Sequence, residues 1–216
     1  MPGVTKHIFE HEIRDIIDMW SKQIKTLQPV LPQEYTENDV IELLKKYYPH
    51  EWKAVEDKYS YYKTKDKYIK KNFGKNRYNM DKPEELLKKS STFKRIMAFD
   101  YKKTWSSNYS QEAQDAAMRA LCAKRKPKIE RINLKIEKAL KKTQQVTPAF
   151  IDQLIGLYER KNTTQQDKVY ILLELKKYYS HKIIQFFFKL NDTEINEQLR
   201  WEAFYHLQSF NYPIRV

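Results

Sequence analysis

The sequence predicts an all-α protein built from antiparallel helical hairpins, and three observations carry that reading. Apolar residues recur every three or four positions along nearly the whole chain, which is the period of a helix face and not of a strand. Only three glycines occur in 216 residues: Gly3, Gly74 and Gly156. Sheet proteins use glycine in tight hairpin turns, and phosphate loops and dinucleotide folds use it for close backbone approach, so neither class is expected. Proline and small polar residues fall at the joints between periodic stretches, where helices begin and end.

Phe9, Ile13, Ile16, Trp20, Ile24 and Leu27 form the first stripe, on a helix expected from about Thr5 to Leu27 and stopped by Pro29 and Pro32. Thr36 opens the second helix, and Asp39 stands where a capping box places its acid. Val40, Leu43, Leu44 and Tyr47 line that helix, and Pro49 ends it. A third helix carries Trp52, Val55, Tyr59, Tyr62 and Ile69 up to Gly74, a natural stop. Residues 76–83 read as a loop. Short helices follow around Leu86–Leu87 and Phe93–Met97, then a break over Trp105–Tyr109. Ser110 caps a helix through Leu121, and Pro127 is expected to restart the chain into Ile129, Ile132, Ile136 and Leu140. From Thr147 the pattern is regular, with helices expected over 148–160, 164–179, 181–190 and 194–209, the last opened by Asp192 or Thr193. The chain divides either into a basic, aromatic region (1–108) and a helical-repeat region (109–216), or stays one continuous domain.

The bulk numbers bound the function. Lys plus Arg is 41 against 28 acids, a formal charge of +13, with pI near 9.5 and mean hydropathy −0.83. Such an excess attracts polyanions. Cys122 is the only cysteine, so no disulfide within the chain and no cysteine-based zinc site can form. The longest apolar run, near Ile183–Phe188, is far below the ~20 residues of a membrane span. No membrane association is expected, and the chain reads as cytoplasmic, or nuclear in a eukaryote.

Two segments concentrate the cations. The first holds Lys63, Lys65, Lys67, Lys70, Lys71, Lys75 and Arg77 with Tyr78 and one acid, Asp66. The second holds Lys124, Arg125, Lys126, Lys128, Arg131 and Lys135, continuing to Lys142 with two acids. Together they carry 16 of the 41 cations and three of the 28 acids. Cations at backbone spacing contact phosphates, and tyrosines can stack on bases. These residues are the expected nucleic-acid face, for DNA, RNA or a ribonucleoprotein. The alternative is a solvated helix surface with tyrosines packed inward. His7, Glu10 and His11 have the H-x-x-E-H zinc spacing, but they lie too near the start of the sequence to be walled into a site, so no metal is expected. No nucleophile–base arrangement stands out, and no cofactor is expected.

A repeat occurs at an offset of 32 residues: Lys168, Val169, Ile171, Leu172 and Leu175 fall on Arg200, Trp201, Ala203, Phe204 and Leu207. With Asp192 in the turn and Leu199-Arg200, Ala203-Phe204 and Leu207 on the next helix, the stretch 147–210 resembles a HEAT repeat. That resemblance implies stacked helices and a groove for a protein partner, and no activity. Tyr35, Thr36, Leu43, Leu44, Trp52 and Val55 resemble the start of a Myb/SANT helix-turn-helix, although no turn interrupts 52–71 where that family needs one. The function expected is therefore a non-enzymatic, nucleic-acid-binding accessory or regulatory protein. Its rivals are a protein-interaction scaffold, or a nucleic-acid-processing enzyme on a HEAT-like frame similar to the alkylpurine DNA glycosylases.

The repeat reading puts Phe187 between helices. Phe187→Ala is expected to lower unfolding free energy by ~3–5 kcal/mol in a denaturant titration. A loss below about 1 kcal/mol would place the ring on the surface.

Overall fold

A computed structural model describes residues 2–213, with side chains from Lys6 onward. The described residues form eleven α-helices and no strand. They are α1 (Pro2–Leu27), α2 (Glu37–Tyr47), α3 (Pro49–Phe73), α4 (Pro83–Leu87), α5 (Ser91–Met97), α6 (Phe99–Ser107), α7 (Gln111–Thr143), α8 (Pro148–Glu159), α9 (Gln165–Leu175), α10 (His181–Thr193) and α11 (Glu197–Gln208), with a 3-10 turn at Gln28–Val30. The chain clusters into two compact units, Met1–Glu130 and Arg131–Val216. Residues 108 and 109 lie in the turn between α6 and α7.

In the first unit α1 packs on α2, α4 and α5, and α3 packs on α2 and α4. The α1 stripe supplies Ile16, Trp20, Ile24 and Leu27, all at most 1 % exposed. Trp20 meets Trp52 of α3 with ring centroids 5.6 Å apart. The capping box at Thr36 forms: its Oγ1 accepts from Asp39 N, and Asp39 Oδ2 accepts from Thr36 N at 2.7 Å. Those bonds stabilise the ionised carboxyl and hold the Asp39 pKa below its usual value. Gly74 ends α3 at φ 76°, a left-handed conformation that glycine adopts without a Cβ clash.

Two expectations here are corrected. Trp105 lies inside α6, donating its indole N–H to the Pro32 carbonyl at 2.9 Å, so the break begins only at Asn108. Pro127 lies inside α7. A mid-helix proline removes one backbone bond and crowds the preceding turn. The helix is anchored along its first half: Gln114 Nε2 donates to the Val30 carbonyl, and Arg125, two residues before the proline, binds the Tyr47 carbonyl and Glu51.

In the second unit α8 packs on α9 and α10 on α11. Thr147, Thr164 and Ser180 cap their helices by accepting from the amides of Phe150, Asp167 and Ile183. The last helix begins later than expected. Glu194 leaves helical geometry and accepts from the Asn196 amide and the Tyr158 hydroxyl, so Asn196 becomes the cap of α11 and α10 runs on to Thr193. The ninth helix stops at Leu175, and the Tyr179 amide donates to Thr143 Oγ1 at 2.8 Å. Leu172, Leu175, Ile184, Phe187 and Leu207 are buried as expected, whereas Phe204 is only half-buried and Ala203 and His206 point inward in its place.

His206 is 5 % exposed, with its ring 4.3 Å from Phe187 and 5.2 Å from Phe210. Burial, then the charges of Lys135 and Lys176, push its pKa down to about 3. Above pH ~6.5 both folded and unfolded chains carry a neutral imidazole there. Between that value and about 3 the unfolded chain binds a proton that the folded chain refuses. Stability is therefore expected to fall by roughly 5 kcal/mol over this window as pH drops, a value reached near pH 3. His206→Leu should remove this contribution when the two proteins are unfolded in denaturant at each pH.

Candidate functional site

The C-terminal half of α3 and the loop after it make a concave site lined by cations. The sequence puts Lys63, Lys67 and Lys70 at helical spacings of four and three, hence on one face of α3. Asp66 shares that face and is 6 % exposed. Its carboxylate accepts three backbone N–H groups from the loop: Arg77 at 2.8 Å and Tyr78 at 2.9 Å on Oδ1, and Asn79 at 2.7 Å on Oδ2. The loop is thereby folded back onto the helix. Asn79 takes φ 48°, which asparagine tolerates, and its Oδ1 accepts from Asn76 Nδ2 at 3.0 Å. A cleft of about 350 Å³ remains, with Lys63, Lys67 and Lys70 on one side, Asn76, Asn79 and Met80 on the other, and Asp66 between them.

Tyr78 does not face solvent. It is 7 % exposed, with ring centroids 5.3 Å from Phe9 and 4.9 Å from Tyr62. Lys65 lies over the rings of Tyr61, Tyr62 and Tyr78. These two residues of the expected nucleic-acid face are thus packing residues, because Lys65 lies one helical turn after Tyr61 and Asp66 holds the Tyr78 amide, drawing that ring under the loop. Lys71, Lys75 and Arg77 are exposed outside the cleft.

The second basic segment does not present all of its cations to solvent. Arg125 is buried: its guanidinium binds Glu51 at 2.6 Å and the Tyr47 carbonyl at 2.8 Å, and lies over the Tyr48 ring. Here arginine closes a polar gap in the core. Lys126 approaches Glu130 at 3.9 Å. Lys135 reaches over the Phe210 ring and bonds Ser209; partial burial, then Lys176 and Arg131, lower its pKa. Lys124, Lys128 and Arg131 stay exposed.

His7 and His11 meet each other with nitrogens 2.9 Å apart, while Glu10 turns to Lys6. No group of three or more potential ligands gathers around a metal position among the described residues. The second unit has two shallow hollows, one lined by Leu157, Arg160, Tyr170 and Ile171, the other by Leu154, Tyr170, Leu173 and Lys177. No helix among the described residues is long and apolar enough to cross a membrane.

No known family matches this sequence, and no solved structure matches it. A curated protein that does match is "Putative cyclic ADP-D-ribose synthase TIR2" of Cytobacillus dafuensis, 35 % identical over 208 residues. The match covers 96 % of this chain and 55 % of the relative, so the chain spans about half of that protein's length. This overturns the expectation of a non-enzymatic protein whose partner is a nucleic acid. The relative bears the name of an enzyme that makes a small cyclic nucleotide, and the match extends through both basic segments. Net charge alone does not distinguish a polymeric from a small anionic partner.

Between α1 and α3 lies a buried ion pair. Lys58 donates to Glu12, which also accepts the Tyr62 hydroxyl, and all three side chains are nearly inaccessible. Removing one partner leaves an uncompensated buried charge. Lys58→Met is expected to cost about 3–5 kcal/mol in unfolding free energy, and adding Glu12→Gln should recover most of it. A fully additive double variant in denaturant titrations would show that the charges do not interact.

Proposed function

We propose that this chain works in the enzymatic formation of cyclic ADP-D-ribose or a close analogue, the product for which its relative is named. The observation that carries the reading is the 35 % identity over 208 residues, running through nearly all of this chain. The substrate class that supplies an ADP-ribosyl group with a leaving base is NAD. Cyclisation breaks the bond between the ribose anomeric carbon and nicotinamide, which departs with the bonding electrons. The adenine N1 forms the new bond to that carbon, and one proton is released.

The chain's own features support a role in holding such a substrate. Its formal charge of +13 attracts an anionic dinucleotide. The three lysines facing the α3 cleft supply cations where a diphosphate could sit. The lone exposed Cys122 supports a cytoplasmic setting, where thiols stay reduced. In α8–α11 the 32-residue offset supports HEAT-like stacking as the finer form of the helical arrangement.

The test is product analysis by chromatography and mass spectrometry with NAD. Two preparations are compared: this chain as it stands, and this chain joined to the part of the C. dafuensis relative that the match leaves uncovered. Nicotinamide and a cyclic ADP-ribose are expected in equal amounts from at least one preparation. Unchanged NAD in both would overturn the reading.

A further inference from the structure

We propose that the cleft between α3 and the loop 76–80 binds the diphosphate of a small adenine nucleotide, a site that rests on the function proposed above and gives it a location. The argument begins with unpaired charge. Many lysines in this protein meet carboxylates, among them Lys88 with Glu37, Lys89 with Asp81, Lys182 with Asp152 and Lys189 with Glu159. Lys63, Lys67 and Lys70 make no ion pair among the described residues, although Asp66 lies on their own helix face. Asp66 is taken up by three backbone N–H groups of the loop, two on Oδ1 and one on Oδ2. Lys63 Nζ donates to the Tyr59 hydroxyl at 3.2 Å, so Lys67 and Lys70 are the cations left uncommitted along a concave space whose one carboxylate is already bonded.

Size and shape favour a small ligand over a polymer. Lys63 to Lys70 spans roughly 10 Å along the helix axis, enough to reach two linked phosphates from one side. The cleft, about 350 Å³, lies at the small end of ligand pockets and is closed on its far side by the loop. Asn79 Oδ1 is used by Asn76, which leaves the Asn79 amide nitrogen as a donor opposite the lysines. Phe73 supplies the rest. It follows Lys70 by three positions on the same helix face and is 69 % exposed, an uncommon state for a phenylalanine, so it offers a base a stacking surface one turn beyond Lys70, outside the residues that line the cleft.

The experiment is isothermal titration of the full chain with ADP-ribose and, separately, with inorganic pyrophosphate, across a salt series. The variants are Lys67→Gln/Lys70→Gln and Phe73→Ala. All three positions are exposed, and unchanged helical dichroism checks that the variants fold. Both ligands are expected to bind, with affinity falling as salt rises. The double variant should weaken both by about a hundredfold, tenfold for each charged contact. Phe73→Ala should weaken ADP-ribose by about tenfold and leave pyrophosphate unchanged. Absence of binding by ADP-ribose, or a double variant that binds like the wild type, overturns the site. Equal effects of Phe73→Ala on both ligands, or none on either, overturn the nucleotide assignment. Cyclic product formed with normal efficiency by the double variant sinks this site while sparing the proposed function. ADP-ribose bound here without turnover in either preparation sinks that function while sparing the site.

Discussion

A buried carboxylate is costly unless its oxygens are bonded, and at Asp66 three consecutive backbone amides meet that need. The same bonds organise everything around the end of α3. They turn the chain after Gly74 back along the helix and satisfy loop amides that would otherwise face the protein unpaired. They also carry Tyr78 into the cluster with Phe9 and Tyr62, tying α1, α3 and the loop together. Asn76 and Asn79 consequently stand opposite the lysines. The cleft thus follows from one acid whose carboxylate is held by the backbone.

The second unit follows a different logic. Its helix pairs are held by an apolar interior of Ile183, Phe187, Leu172 and Leu207, with His206 kept neutral among aromatic rings. Its surface lysines meet acids from neighbouring helices, as Lys182 meets Asp152 and Lys189 meets Glu159. Exposed pairs of this kind contribute little stability each, and they compensate only part of the unit's cations. Formal charge is a poor guide to function for this reason. What matters is which cations remain uncompensated, and that depends on contacts between distant segments.

Much of the fold was legible in the sequence because helices announce themselves locally. Periodicity gave the stripes, and Thr36, Thr147, Thr164 and Ser180 cap where a side-chain oxygen precedes an apolar run. The misses are positions where tertiary contacts outweighed a local signal. Pro127 looked like a break, yet α7 continues through it beside the anchored Arg125. Asn196 caps α11 because Glu194 was recruited by Tyr158, 36 residues away. The site was half legible. Lys63, Lys67 and Lys70 stood out as cations, but Asp66 looked like the lone acid in a basic run. Its partners are backbone amides 11 to 13 residues on, which carry no side-chain signature. Arg125 and Tyr78 were read as surface groups because burial through a distant Glu51 or Phe9 is invisible in local spacing.

The central structural claim is that Asp66 builds the cleft, and amide hydrogen exchange followed by nuclear magnetic resonance tests it most directly. In the wild type the amides of Arg77, Tyr78 and Asn79 should exchange slowly, although they lie outside any helix, while that of neighbouring Asn76 exchanges rapidly. In Asp66→Ala all three should lose protection together, with the amides in the first half of α3 keeping theirs. Rapid exchange of the three in the wild type, or protection unchanged in the variant, would contradict the account.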